Sequence, residues 1–289
     1  LYSTGVTDSF EDAAEAIKAV MQAGIAPPGA TNKQLQQIAT KAADVANVFD
    51  QDLGGVTNAV SQMLRTGVAK SADEAFDVLA RGIESGANKA DDLLDTFNEY
   101  STQFRKLGLD GQTSLGLIQQ ALKGGARDAD VAADALKEFA IRAVDGSTTT
   151  ADGFKALGLN ADTMAEKIGK GGKSAADALD LTLDKLRGIK DPVKQSQIAV
   201  NLFGTQAEDL GKALFSMDPS KAVNTIGKVG GAADKLGKGL RSGPMYQIQT
   251  FKREIQQGLT EVLGKYLIPA LTKTLKAGKD AFSWIRDNQ

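Results

Sequence analysis

With 289 residues, the chain is long enough to bury a real core and to form about two domains. Its 34 basic and 36 acidic residues nearly cancel, so composition supplies no basic field for tight nucleic-acid binding. Having neither Cys nor His, it has no disulfide, no thiolate metal ligand and no His-dependent catalytic set.

Leu1 rather than Met stands first, so the chain reads as a piece of something longer, and Leu1 to Ala23 lacks the compact apolar core of a signal peptide. Phe10, Ala13, Ala14, Ile17, Val20 and Met21 form a first helical stripe, for which Asp8 and Glu11 have capping-box spacing. Gly24 and Pro27-Pro28-Gly29 end that helix. A second helix carries Leu35, Ile38, Ala42, Val45 and Phe49, with Thr31 or Asn32 as its cap, and residues 1–55 read as a helical hairpin. Gly54-Gly55 separates it from Val56, Ala59, Val60, Met63 and Leu64. Beyond Gly67, Ser71 and Glu74 form another capping box before Phe76, Leu79, Ala80 and Ile83.

Residues 56–226 read as a core of degenerate helical repeats. Its centre is Leu115 to Ala143, broken at Gly124-Gly125. After the break, Ala132, Ala135, Leu136, Phe139, Ala140 and Ala143 fall on one small-residue face that lets a neighbouring helix approach closely. A Gly followed five residues later by Asp recurs at Gly86, Gly125 and Gly172, and Leu107-Gly108-Leu109-Asp110 returns as Leu157-Gly158-Leu159-Asn160. Unequal periods argue for helix–turn–helix units packed on one another rather than a strict solenoid. Residues 146–150 and 170–173 read as polar loops.

Asp191-Pro192 opens a helix with Ile198, Leu202 and Phe203 on its apolar face. Gly204 stops it, and Ala207 to Phe215 continues as another helix. Gly227, Gly230, Gly231, Gly237, Gly239 and Gly243 mark residues 227–243 as a flexible joint or a thinly packed segment, since each interior Gly costs a helix about 1 kcal/mol. Residues 244–289 then read as a long amphipathic helical segment. Ile248, Phe251, Ile255, Leu259, Val262, Leu263, Tyr266 and Leu267 form its stripe, a kink falls near Pro269, and Trp284 lies near its end. No alternating β-branched run predicts a strand. The expected class is all-α, an array of short amphipathic helices ending in this longer one.

Candidate chemistry is sparse. Lys170-Gly171-Gly172-Lys173-Ser174 has Lys167 where a phosphate loop needs its first Gly, and reads as a turn before a helix capped by Ser174. Gly237-Lys238-Gly239 places its third Gly at 243 rather than 242, against a dinucleotide fingerprint. Asp91, Asp92 and Asp95 fit a solvated helix start better than a metal cluster, and so do Asp8, Glu11, Asp12 and Glu15. Nothing singles out the acid pair that a His-free glycosidase would need, and no cofactor is expected. The stripe from Ile248 to Leu271 fits helix packing, with membrane-surface contact as the alternative.

Leu202-Phe203-Gly204-Thr205-Gln206-Ala207-Glu208, with Leu210 and Leu214, resembles the core region of the phage tail tape measure family. Phe10-Glu11-Asp12 with Ala16 to Val20 resembles its early helix. Leu115 to Phe139 resembles its Ala-rich units, and Leu267 to Leu271 followed by Phe282 to Ile285 resembles its closing helix. The order of these segments carries the resemblance, which covers most of the chain. The family's long coiled coil and occasional peptidoglycan-cleaving domains are not in these residues. The resemblance implies a non-enzymatic virion protein in the tail tube or tip. It would set tail length, leave at DNA ejection, and help form a passage through the host envelope. Implied partners are tail tube and tail-tip proteins, further copies about the tail axis, and a host membrane after release, with no sequence-specific nucleic acid. Candidate helix-packing or partner contacts are Phe139, Leu202, Phe203, Phe251, Ile255, Leu259, Leu267 and Trp284.

Overall fold

Most helix starts in this chain are set by short-range chemistry. In the computed structural model, which describes residues 1–243, helix α1 spans Phe10–Gln22, α2 Asn32–Phe49, α3 Leu53–Thr66 and α4 Ala72–Ser85. Thr31 and Gln34 cap each other reciprocally at the start of α2. Asp52 accepts the Gly55 amide at 2.7 Å to start α3. Such caps are each worth about 0.5–2 kcal/mol. At the start of α4 the Ser71 hydroxyl accepts the Glu74 amide at 3.1 Å, but the Glu74 carboxylate reaches one residue further back, to the Lys70 amide at 2.9 Å.

Two expected boundaries are displaced. The cap of α1 is Ser9, whose hydroxyl accepts the Asp12 amide at 3.0 Å, rather than Asp8. The break between α2 and α3 is not at Gly54-Gly55, which lie in the first turn of α3. It is at Asp50, which turns the chain with φ 53°.

Helix α5 spans Leu93–Lys106, α6 Gly111–Lys123, α7 Ala129–Arg142, α8 Thr148–Ala156, α9 Ala161–Gly169 and α10 Gly172–Arg187. The residues read as a loop at 146–150 are mostly helix: Ser147 is the cap of α8, accepting the Thr150 amide, and Thr148–Thr150 form its first turn. The cap of α10 is Gly171, so Ser174 lies inside the helix. The recurring Gly-to-Asp spacing does not mark equivalent positions. Asp91 sits in a loop with φ 60°, whereas Asp130 and Asp177 lie within α7 and α10.

The other recurrence is structural in detail. After both α5 and α8 a Gly takes a left-handed turn, Gly108 with φ 70° and Gly158 with φ 72°. The next amide bonds back five residues, Leu109 to the Phe104 carbonyl and Leu159 to the Phe154 carbonyl, both at 2.9 Å. Asp110 and Asn160 then cap the following helix by accepting the Thr113 and Thr163 amides, both at 2.8 Å. A helix stop, a corner and a helix start are thus encoded in four residues.

Helix α11 spans Pro192–Phe203, α12 Gln206–Leu210, α13 Pro219–Ile226 and α14 Ala232–Leu240; a 3-10 turn, Gly211–Ser216, lies between α12 and α13. The helix expected from Ala207 to Phe215 is interrupted at Gly211, where φ is 51°. All regular structure among the described residues is helical.

One compact unit runs from Ala14 to Lys238; the other, among the described residues, holds Leu1–Ala13 and residues 239–243. In the smaller unit the rings of Tyr2 and Phe10 lie 4.4 Å apart. In the larger, α5 packs between α3 and α7, and α11 packs on both α7 and α8. Leu93, Phe97 and Phe104 of α5, and Leu107 just after it, are fully buried. Each such side chain contributes about 1.5–3 kcal/mol of burial. Ala132, Ala135, Leu136 and Phe139 are likewise fully buried on the inner face of α7, while Ile141 is exposed. The long amphipathic segment, the Pro269 kink and the stripe with its membrane alternative lie outside the described residues.

Candidate functional site

Two features of the larger unit position everything else: an aromatic junction and a set of clamps on helix ends. At the junction, Phe139 of α7 stacks on Phe203, the last residue of α11, with ring centroids 4.8 Å apart and planes 19° apart. Phe154 of α8 meets Phe139 edge-on at 6.4 Å and 75°. All three rings are fully buried. Offset stacks and edge contacts of this kind add about 0.5–1.5 kcal/mol beyond area burial. Leu202, also fully buried, lies against Gly153, where an added Cβ would come within 2.9 Å of its Cδ2.

Three of the candidate contact residues, Phe139, Leu202 and Phe203, therefore meet at one helix junction inside the fold. Phe251, Ile255, Leu259, Leu267 and Trp284 lie outside the described residues. The stretch Leu202 to Glu208 forms the corner between α11 and α12. Gly204 turns with φ 66°, and Ala207 and Leu210 of α12 are buried.

The clamps use side chains from distant helices to satisfy backbone groups that helix ends leave unpaired. Asp92 is a local instance. Instead of facing solvent at a helix start, it turns one carboxylate oxygen to the Asp130 amide at 2.8 Å, while Asp128 caps the same helix through the Val131 amide at 2.9 Å. Burial pushes the Asp92 carboxyl above its ordinary value; the Asp130 amide works against that shift, and the Asp128 charge adds to it.

Helix α13 is held at both ends. At its start, Asp218 accepts the Lys221 amide at 3.2 Å, and Asp180 of α10 accepts the Ser220 amide at 3.3 Å. The Gln120 side chain of α6 accepts the Asp218 amide at 2.7 Å and donates to the Asp218 carbonyl at 3.2 Å and to the Thr225 hydroxyl at 3.0 Å. At its end, the Arg81 guanidinium donates to the Ile226 carbonyl at 2.6 Å. Arg187 donates to the Met217 carbonyl at 2.5 Å.

Gly231 precedes α14 and has no side chain to cap it. Asp77 of α4 does so instead, accepting the Gly231 amide at 2.8 Å and the Ala233 amide at 2.9 Å. Glu84 pairs with both Arg81 at 2.9 Å and Lys235 at 3.1 Å, and Lys41 pairs with Asp73 at 2.7 Å and Asp234 at 3.2 Å.

Removing the cap at Asp77 should loosen α14 selectively. Asp77→Ala is expected to cost about 1–2 kcal/mol, the scale of a lost N-cap, and to be read as faster amide exchange in residues 232–238 before any global change.

These clamps also set an acid response. Burial acts to raise Asp218, but its hydrogen bonds to Lys221 and Ser220 and the Arg187 charge hold it below the ordinary carboxylate value. Burial likewise acts to raise Glu84, and its bonds to Lys235 and Arg81 hold it down. A carboxyl lowered on folding stabilises the folded chain above its unfolded pKa and loses that contribution as pH falls through the folded one. Asp218→Asn keeps a capping oxygen and loses the charge. Denaturant midpoints are expected to be lower than wild type at neutral pH and to fall less steeply on acidification.

No constellation for bond-making chemistry assembles among the described residues. No group of three or more acids is placed to hold a metal, and no helix is long and apolar enough to cross a membrane. A cleft of about 420 Å³ opens between residues 24–28, α2 and the start of α4. Its Ser71 and Asp73 are already engaged, in the cap of α4 and with Lys41. In the Lys170 to Ser174 stretch, Lys170 pairs with Glu166 at 2.7 Å and Lys173 with Asp177 at 2.8 Å, and helix α9 rather than a strand precedes it. Gly237-Lys238-Gly239 lies within α14.

The clamps were invisible to sequence reasoning because their partners are far apart in the chain. The available hint was a pair of amides, Gln119 and Gln120, in an otherwise apolar helical run.

A family model described as phage-related minor tail protein matches residues 2–204 of this chain. The chain is 50% identical over 259 residues to a "Probable tape measure protein" of Streptomyces phage phiC31, which covers 90% of this chain and 36% of that protein. It is 31% identical over 246 residues to "Uncharacterized protein YqbO" of Bacillus subtilis (strain 168), covering 84% of this chain and 15% of that protein. The chain therefore spans about a third or less of the length of these relatives. No solved structure matches it.

Proposed function

Because this chain belongs to the phage-related minor tail protein family, we propose that it is the core part of a tape measure protein. In this reading it helps set tail length during assembly and works as a non-catalytic scaffold. It lies in the tail tube or at the tip and leaves when DNA is ejected. Its partners are tail tube and tail-tip proteins, with further copies of itself about the tail axis.

The observation that carries this reading is the 50% identity to a probable tape measure protein along 90% of the chain. The folded unit supports it. Asp77, Arg81, Gln120 and Asp180 bind helix ends, and the stretch from Leu202 to Glu208 is the corner that joins α11 to α12, with Leu202, Phe203 and Ala207 buried.

The test is genetic and read by electron microscopy. A phage carrying an in-frame deletion of residues 14–238 in its tail gene is expected to give tailless particles or tails of altered length. Tails of normal length and normal yield from that deletion would refute the reading.

A further inference from the structure

We propose that residues 218–238 form a strap that opens as one unit while the helices beneath it stay folded. The strap holds α13 and α14, and its buried apolar side chains are Ala222, Ile226, Val229, Ala232 and Ala233. Helix α5 alone buries Leu93, Leu94, Phe97, Tyr100 and Phe104. Three of the strap's five are Ala, so its burial removes less apolar area from water than the Leu and Phe side chains of α5, and a segment buried that thinly opens at lower free energy than the core it lies on. Helices of 8 and 9 residues do not persist alone in water, so a strap that lifts also melts, and it does so cooperatively.

What fixes the strap is polar: Gln120 and Asp180 at the start of α13, Arg81 at its end, and Asp77 at the start of α14. These groups bond to water once the strap lifts, so opening does not strand them. The seat is also close-fitting. An added Cβ at Gly116 of α6 would lie 2.2 Å from the Ala222 carbonyl oxygen. Between the two helices Gly227 turns with φ 70° and Gly231 with φ 84°. Lifting the strap uncovers a ledge on α4 and α6 that presents Asp77, Arg81, Gly116 and Gln120, already shaped to receive a helix.

Amide hydrogen exchange on the full chain tests this. In the wild type, amides of residues 219–226 and 232–238 are expected to exchange about tenfold faster or more, after correction for intrinsic rates, than those of α5 and α7. Gly116→Ala displaces Ala222 without touching a charge and should speed exchange in the strap by about a further tenfold, with α5 and α7 unchanged. Trypsin under native conditions should cut first after Lys221 and Lys228. Equal protection in the strap and α5 of the wild type would overturn the proposal, whether or not the variant folds. An acceleration shared by all helices in Gly116→Ala would also overturn it.

Discussion

Phe139→Ala is expected to lower the unfolding free energy by about 3–5 kcal/mol, the range for emptying a large aromatic site in a packed core. Phe139 belongs to three helices at once: its own α7, α11 through the stack on Phe203, and α8 through the edge contact with Phe154. Truncation removes the ring's own burial, both aromatic pairings, and with them the support under Phe203 at the corner to α12. The surrounding Ala side chains of α7 are too short to collapse into the space. Ile141, two residues on and 45% exposed, is the internal control. Ile141→Ala should move stability by no more than about 0.5 kcal/mol. Guanidinium melts followed by far-UV circular dichroism would report this as a large midpoint shift in the first variant and almost none in the second. Equal shifts would mean that the junction does not hold these helices together.

The second large effect comes from a matched pair of glycines. Gly108 and Gly158 occupy the same position of a repeated corner, with φ of 70° and 72°. Alanine in a left-handed position costs about 1–2 kcal/mol at either site. The surroundings differ. Nothing lies within 4 Å of an added Cβ at Gly158, whereas at Gly108 it would sit 1.8 Å from the backbone carbonyl oxygen of Gly172. That oxygen belongs to the first turn of α10 and cannot swing aside as a flexible side chain would. Overpacking of this kind adds about 1–3 kcal/mol. Gly158→Ala should therefore cost about 1–2 kcal/mol and Gly108→Ala about 2–5 kcal/mol. Equal costs in a denaturant titration would show that the close approach of the α5–α6 corner to α10 is unimportant.

The same contrast explains what was legible in the sequence. The corner Leu107 to Asp110 and its copy at 157–160 could be found because every group that makes them lies within a few residues. The choice of Thr31 or Asn32 as the cap of α2 rests on the same local chemistry, and the inner face of α7 follows from helical period alone. The all-α class followed from these local patterns.

Position within a few residues was less secure. Ser9 displaced Asp8 as a cap, and Asp50 rather than Gly54-Gly55 made the break, because several polar residues competed for each end. The glycines of residues 227–243 weaken any helix there, yet α14 forms within them. Its intrinsic weakness is offset by Asp77, a cap supplied from more than 150 residues away. The roles of Gln120 and Arg81 in holding α13 have the same origin, since tertiary distance leaves no periodic trace. The family resemblance read from Leu202 to Glu208 agrees with the family match over residues 2–204. The structure adds that those residues form the corner between α11 and α12, with Leu202, Phe203 and Ala207 buried.

The most direct measurement is a cryo-electron-microscopy reconstruction of intact phage tails, with residues 14–238 sought in the density. The scaffold reading predicts this helical unit in the tube lumen or at the tip, with the Phe139–Phe203 junction recognisable where its helices cross. Tails that contain no such unit, from particles of normal length and infectivity, would contradict it.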